Sequence, residues 1–254
     1  MGLQGQHILS TRDSLGPDHL QKMLSAAGAI VQAVPTIELL PPDSWAAFDE
    51  AAAQIDTFDW MLFTSVNAVL QTALRLAVLG VPLPTKLKIA VVGKKTARQV
   101  DKQGWSVDLV PKTFQAESLV ESLQGQVSQG TQIFFPRALV AREWLPAQLL
   151  QFGAVVQVAP VYQNRPALGN KEALKAALAT GDLDWITFTS ASTVNNFKLI
   201  LGELPAVLPK IASIGQITTE AIQQAGLTPT VTADPQTLDG LLQAMEDYEP
   251  DSDR

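Results

Sequence analysis

The chain has 254 residues, of which 46% are hydrophobic and 17% charged, with 16 Gly and 16 Pro. This is globular composition with material for one large domain or two modest ones, and it excludes disorder, collagen and coiled coil as descriptions of the whole. With no Cys and only His7 and His19, disulfides, thiolate metal centres and cysteine nucleophiles are ruled out, and no metal site or Ser-His-Asp triad is expected; the formal charge of −7 argues against a broad nucleic-acid footprint but leaves room for an anionic ligand in a local pocket.

Met1 to Gln6 is polar and lacks the cationic start and apolar run of a signal peptide. The first apolar run, His7–Leu9, reads as a strand. Leu20, Met23 and Leu24 then fall at helical spacing, and Gly28 stands where a left-handed residue would end that helix. Residues 29–42, AIVQAVPTIELLPP, read as an extended connector. A strand over Trp60–Phe63 runs into Thr64-Ser65, a hydroxyl-bearing helix start. The long apolar stretch Ala68–Leu83 is broken by Gln71, Thr72 and Arg75 and is too short to span a bilayer, so a cytoplasmic protein without a membrane partner is expected. The strand Ile89–Val92 leads into Gly93-Lys94-Lys95-Thr96. Ile133–Phe135 is a further strand, Leu145 and Leu149 mark a helix ended by Gly153, and residues 154–166 form a second extended connector.

These elements occur twice. Residues 7–35 lie over 132–160 without a gap at an offset of 125, which relates Arg12 to Arg137, Gly28 to Gly153 and Pro35 to Pro160. FDWMLFTSVNAV (58–69) lies over LDWITFTSASTV (183–194) at the same offset, and KIAVVGKKTARQ (88–99) lies over KIASIGQITTEA (210–221) at 122. Three matches in one order mean a duplicated unit. Strand and helix alternate within it, which predicts the α/β class with doubly wound parallel sheets. The two connectors could pair as a ladder between lobes. Periodicity permits two partitions: copies cut at the midpoint, or lobes completed by pieces of the other half.

In open α/β sheets ligands bind at the carboxyl ends of strands, where helix N-termini offer N–H donors. Ser65 and Ser190 stand at such turns, as do Thr96 and Thr218, three residues beyond Gly93 and Gly215, with Thr219 adjacent. Each is also a preferred capping residue type, so a purely structural role is the bland alternative. Arg12 and Arg137 follow the first strand of each unit and could grip carboxylates bidentately. Lys94 and Lys95 face Gln216 and Ile217 across the repeat, an asymmetry that hints at unequal roles. Tyr162 lies on the second connector, its counterpart is Ile37, and a phenol can donate a proton without carrying charge. Trp60 and Trp185 read as core, and the run from Glu246 onward as a solvated tail.

The ordered set FTSVNAV, VVGKKTA, Glu117–Leu119, FPRA, LPAQLLQFGAVV, VAPVYQ, FTSASTVNNF and ASIGQITTEAIQQAG resembles the uroporphyrinogen-III synthase family across nearly all of the chain. The resemblance implies a cofactor-free enzyme, a cyclising hydro-lyase that takes linear hydroxymethylbilane, removes its terminal hydroxyl as water and closes the ring with pyrrole D inverted. It implies two flavodoxin-like lobes joined by a two-stranded β-ladder. One lobe would be 1–35 plus 166–250 and the other 41–160, with 36–40 and 161–165 as the ladder and 251–254 as a disordered tail. By the matching motifs Ser65, Thr96, Ser190 and Thr218 would face a shared cleft, with Thr219 as a neighbouring candidate, and Tyr162 occupies the family's Val-Tyr position. A monomer acting on a small-molecule tetrapyrrole, without nucleic acid, is expected. The competing class is a two-lobed small-molecule-binding module; a nucleotide-dependent enzyme is disfavoured because no phosphate-cradling glycine motif follows a strand.

Overall fold

A computed structural model of the chain describes residues 2–12 and 19–249; the tail expected at 251–254 lies outside them. The chain divides into two compact units, the first containing the residues up to Glu38 and those from Arg165 onward, the second Leu39–Asn164.

In the first unit the strands β1 (His7–Ser10), β2 (Ile30–Ala33), β8 (Trp185–Phe188), β9 (Lys210–Ser213) and β10 (Val231–Thr232) form one sheet in the order β10-β9-β8-β1-β2, and every neighbouring pair is parallel. The other sheet, built mainly from the second unit, has β3 (Ile37–Leu40), β4 (Trp60–Phe63), β5 (Lys88–Val91), β6 (Gln132–Ala138) and β7 (Val155–Pro166) in the order β3-β7-β6-β4-β5, with β7, β6, β4 and β5 parallel in sequence. A parallel bridge from Ala90 to Leu109 adds the position that β10 holds in the first sheet. The two copies of the repeat exchange segments. β1 comes from the first copy but pairs with β8 of the second, carrying β2 on its other side, whereas β4 of the first copy pairs with β6, carrying β5.

Each sheet is buried on both faces, and strand alternation sorts its side chains into two cores. In β4, Met61 and Phe63 enter a core with Phe48, Ala51 and Ala52 of α2 (Ala46–Ala53) and with Val69 and Leu76 of α3 (Val66–Leu79); Val100 of α4 (Lys94–Lys102) joins them. Trp60 and Leu62 point to the opposite core, where Leu119 and Leu123 of α5 (Ala116–Leu123) meet Leu145 and Leu149 of α6 (Trp144–Gln151). The first unit repeats this scheme. Ile186 and Phe188 pack with α7 (Lys171–Ala179), α8 (Ala191–Leu201) and α9 (Gln216–Gln224), while Trp185 packs with α1 (His19–Ala26) and α10 (Leu238–Glu246). Trp60 and Trp185, at 2% and 1% exposure, are core residues as read from the sequence.

Arg75 of α3 makes a two-pronged contact to Asp49 of α2 and lies over the Trp45 ring, 4.9 Å from its centroid. The hydrogen bond to Asp49 raises the guanidinium above its ordinary pKa. Gly28 and Gly153 adopt φ of +87° and +84°, the left-handed conformation in which a side chain is disfavoured. The carbonyl of each accepts a 2.9 Å bond from another glycine, Gly5 N–H and Gly130 N–H respectively. The duplication therefore preserves this turn in detail. Among the described residues no helix is long and apolar enough to cross a membrane.

Candidate active site

The carboxyl ends of both sheets carry the residues singled out from the sequence. In the second unit β4 ends at Phe63, and Ser65 caps α3: its Oγ accepts the Ala68 N–H at 3.0 Å. The same oxygen lies 3.2 Å from the Tyr162 hydroxyl, on β7. Tyr162 is buried at 7% exposure and belongs to the core beneath α3. A register shift holds it there. Arg137 pairs with Pro160 and Ala138 with Tyr162, so Val161 is an extra residue on β7, and Leu139 N–H donates to the Tyr162 carbonyl at 2.8 Å. Bulges of this kind re-aim side chains beside functional sites.

Arg137, on β6, is buried at 6% exposure. Its Nη1 donates to the Arg142 carbonyl at 3.1 Å, its Nη2 pairs with the Glu143 carboxylate, and the guanidinium lies 5.7 Å from the Phe135 ring centroid. It thus braces the loop 139–143 from within. Thr96 sits in the first turn of α4, 6% exposed, and its hydroxyl makes no hydrogen bond among the described residues.

The first unit carries the remaining candidates. Ser190 caps α8 through a capping box, its Oγ accepting Thr193 N–H at 3.2 Å while Thr193 Oγ1 accepts Ser190 N–H at 3.3 Å. Thr218 and Thr219 lie in the first turns of α9, both buried. They differ in their partners. The Thr219 hydroxyl meets the Thr232 hydroxyl of β10 at 2.7 Å, whereas that of Thr218, the repeat counterpart of Thr96, makes no hydrogen bond among the described residues. Arg12 is half-buried two residues beyond the end of β1.

Several residues that the sequence did not single out also shape these edges. Thr11 Oγ1 donates to the Thr187 carbonyl at 2.7 Å, and Thr36 Oγ1 reaches the Thr193 carbonyl at 3.1 Å, tying β1 and the end of β2 to β8 and α8. In the second unit Glu117, Arg142 and Trp144 line an apolar cavity of about 410 Å³ next to Thr64. Thr64 also borders a second cavity of about 430 Å³ with Gly93, Lys94, Lys95, Arg98 and Phe114. The signal was present in part: Lys94 and Lys95 break the symmetry of the repeat, and Glu117 stands in the ordered set of motifs. Among the described residues no group of three or more His, Asp or Glu side chains is placed to hold a metal ion.

Chemically, the edge of the second unit offers two hydroxyls in contact, the starts of α4 and α5 without a side-chain cap and two cavities that share Thr64. Such an arrangement can donate protons and bind carboxylates without a strong global field.

Comparison with known proteins agrees with this picture. A family model described as uroporphyrinogen-III synthase HemD matches residues 18–243. A uroporphyrinogen-III synthase from Synechococcus elongatus is 39% identical over 97% of this chain and 96% of its own length. A protein named putative uroporphyrinogen-III synthase from Methanothermobacter thermautotrophicus is 33% identical over 88% of this chain and 91% of its own. Among solved structures, uroporphyrinogen-III synthetase from Helicobacter pylori aligns with a TM-score of 0.62 at 18% identity, covering 94% of this chain and 97% of that one, and shares the fold. A mutant uroporphyrinogen III synthase from Thermus thermophilus does so at 0.58 and 18%, over 95% and 97%. A family model spanning most of the length, and relatives above 30% identity covering nearly all of it, place the chain in the uroporphyrinogen-III synthase family.

Proposed function

We propose that the chain is a cyclising hydro-lyase that converts hydroxymethylbilane to uroporphyrinogen III, with loss of water and inversion of ring D, acting as a cytoplasmic monomer. Membership of the family supports the reaction. The observation that carries the chemistry is the contact between Ser65 and Tyr162 at 3.2 Å.

Two hydroxyls bring two protons. Ser65 Oγ already accepts Ala68 N–H, and either hydroxyl can donate to the other. Whichever way the pair is oriented, one proton is used between them and one remains for a ligand. The reaction needs one such proton. The C–O bond at the hydroxymethyl carbon breaks as the pyrrole nitrogen's electrons move in, and the departing hydroxyl takes a proton from the phenol to leave as water. The carbon so freed bonds to the substituted α-carbon of ring D, giving a spiro centre; the bond from that α-carbon to the ring C methylene then breaks, the methylene bonds to the free α-carbon of ring D, and the C–H proton lost there returns to the phenolate. Atoms and charge balance, and Tyr162 is regenerated.

The free substrate would close without inversion, so catalysis also requires holding a strained, spiro-type arrangement that the flexible chain seldom visits. In this reading Arg12, Thr96, Ser190, Thr218 and Thr219 supply donors to the substrate's carboxylates. Arg137 serves that binding through the loop it braces. The test is to incubate the purified protein with freshly made hydroxymethylbilane, oxidise the products and separate the porphyrin isomers. The type III isomer is expected above the spontaneous background. A product containing only type I would overturn the reading.

A further inference from the structure

The cavity at the start of α4 differs from its counterpart in the first unit in a way that the duplication makes measurable. The spacing of 122 residues that relates Gly93 to Gly215 carries Lys94 onto Gln216, Lys95 onto Ile217, Arg98 onto Glu220 and Phe114 onto Gln236. The fold keeps these positions equivalent. The Phe114 ring lies against Gly93, its Cγ 3.5 Å from where a Cβ would stand, and the Gln236 side chain covers Gly215 in the same manner, its Cδ 2.6 Å from that point. One scaffold has therefore been given two chemistries. In the first unit the turn is neutral to acidic, with Gln216 Nε2 donating to Glu220 at 3.1 Å. In the second unit it holds three cations and an aromatic ring.

Those cations sit where helix energetics disfavour them. Lys94 and Lys95 open α4, at the positive end of its dipole, and the first turn contains no acidic residue. Lys94 and Arg98 are four residues apart on the helix, a repulsive spacing for like charges. None of the three has a carboxylate within ion-pair distance among the described residues, and all are exposed. Phe114 is 53% exposed, with the Lys94 ammonium 5.7 Å from its ring centroid. Gly93 stands at the N-cap of α4, and no side chain caps the helix start. Thr96, a residue 6% exposed whose hydroxyl makes no hydrogen bond among the described residues, lines the same cavity of about 430 Å³, a volume within the roughly 300–1,000 Å³ of small-ligand sites.

An anion with a flat ring relieves all of these at once. We propose that this cavity is a subsite for one carboxylated pyrrole of the substrate: the ring stacks on Phe114, and its carboxylates are held by Lys94, Lys95, Arg98 and the N–H groups opening α4. The proposal rests on the function given above and assigns this grip to the second unit, not to the equivalent turn at Gly215.

The test compares the wild type with K94Q/K95Q/R98Q, F114L and F114W, and with K22Q/K171Q/K175Q as a control that removes three cations elsewhere. Two readouts are taken: steady-state kinetics with hydroxymethylbilane, and fluorescence titration with uroporphyrin III, an octacarboxylate. The cation variant is expected to raise KM and weaken uroporphyrin binding by about 10- to 100-fold, with kcat kept within about threefold and a shallower dependence of affinity on salt. F114L should weaken both several-fold and F114W should restore them. Unchanged KM and uroporphyrin affinity in the cation variant overturn the subsite, as does an equal loss in the control. If the wild type binds uroporphyrin yet does not turn over hydroxymethylbilane, the proposed reaction fails, and the titration alone decides the subsite.

Discussion

The hydroxyl oxygens of Ser65 and Tyr162 lie 3.2 Å apart across 97 residues of sequence, joining the helix-capping turn after β4 to the bulged end of β7. Ser65 thus has two tasks, capping α3 and orienting the phenol. Tyr162→Phe keeps the ring in the core and removes only the hydroxyl. It should lower kcat by about 10-fold or more with little change in KM, because a positioned acid contributes to the chemical step and Ser65 can replace it in part. Turnover equal to wild type would remove Tyr162 from the proton path. Ser65→Ala should also lower thermal stability by about 1 kcal/mol through loss of the cap, a loss that Tyr162→Phe does not share.

The left-handed glycines give a test of the fold alone. Gly153 has φ +84°, and a Cβ there would run into the Gln129 side chain. Gly104 has φ +75° with nothing within 4 Å of that position. Gly104→Ala should destabilise by about 1 kcal/mol, the conformational penalty only, and Gly153→Ala by about 1 kcal/mol more. Denaturant unfolding of both variants measures the difference, and equal losses would mean that the Gln129 side chain moves aside freely.

Much of this architecture can be read from residue order, since apolar strands followed by helically spaced segments, twice over, specify parallel sheets covered on both faces. The exchange of segments cannot. FDWMLF and LDWITF have the same apolar pattern, so local physics is indifferent to whether β1 pairs with β4 or with β8; long-range packing chooses β8. Tyr162 stood out because the repeat did not account for it. Arg137 was visible as a cation after a strand, but its engagement by the Glu143 carboxylate depends on how the loop 139–143 folds back. Phe114 gave no periodic signal, being a lone aromatic in a polar stretch, and only its placement against Gly93 reveals a surface.

Thr72, on the buried side of α3, has no exposure, and its hydroxyl finds no hydrogen-bond partner among the described residues. An unpaired buried hydroxyl carries its desolvation penalty without return. Thr72→Val replaces that hydroxyl by a methyl group of similar size. It is expected to raise stability by about 1 kcal/mol, read as a higher denaturant midpoint at unchanged slope. A loss of stability would mean that the hydroxyl is satisfied in solution.

Arg137 distinguishes bracing from direct binding. Its side chain is 8% exposed and that of Glu143 74% exposed, so the two partners have unequal stakes in their contact. Glu143→Gln leaves Arg137 its bond to the Arg142 carbonyl and access to a neutral acceptor, and should cost about 0–1 kcal/mol. Arg137→Met removes both anchors of the loop and should cost about 1–3 kcal/mol of stability while raising KM for hydroxymethylbilane. If Arg137 acts by holding the loop, Glu143→Gln should also raise KM, by a smaller factor, since it loosens the same brace. If Arg137 instead grips substrate carboxylates directly, removing its internal competitor should lower KM. The sign of the KM change in Glu143→Gln, measured beside the melting temperatures, decides between the two roles.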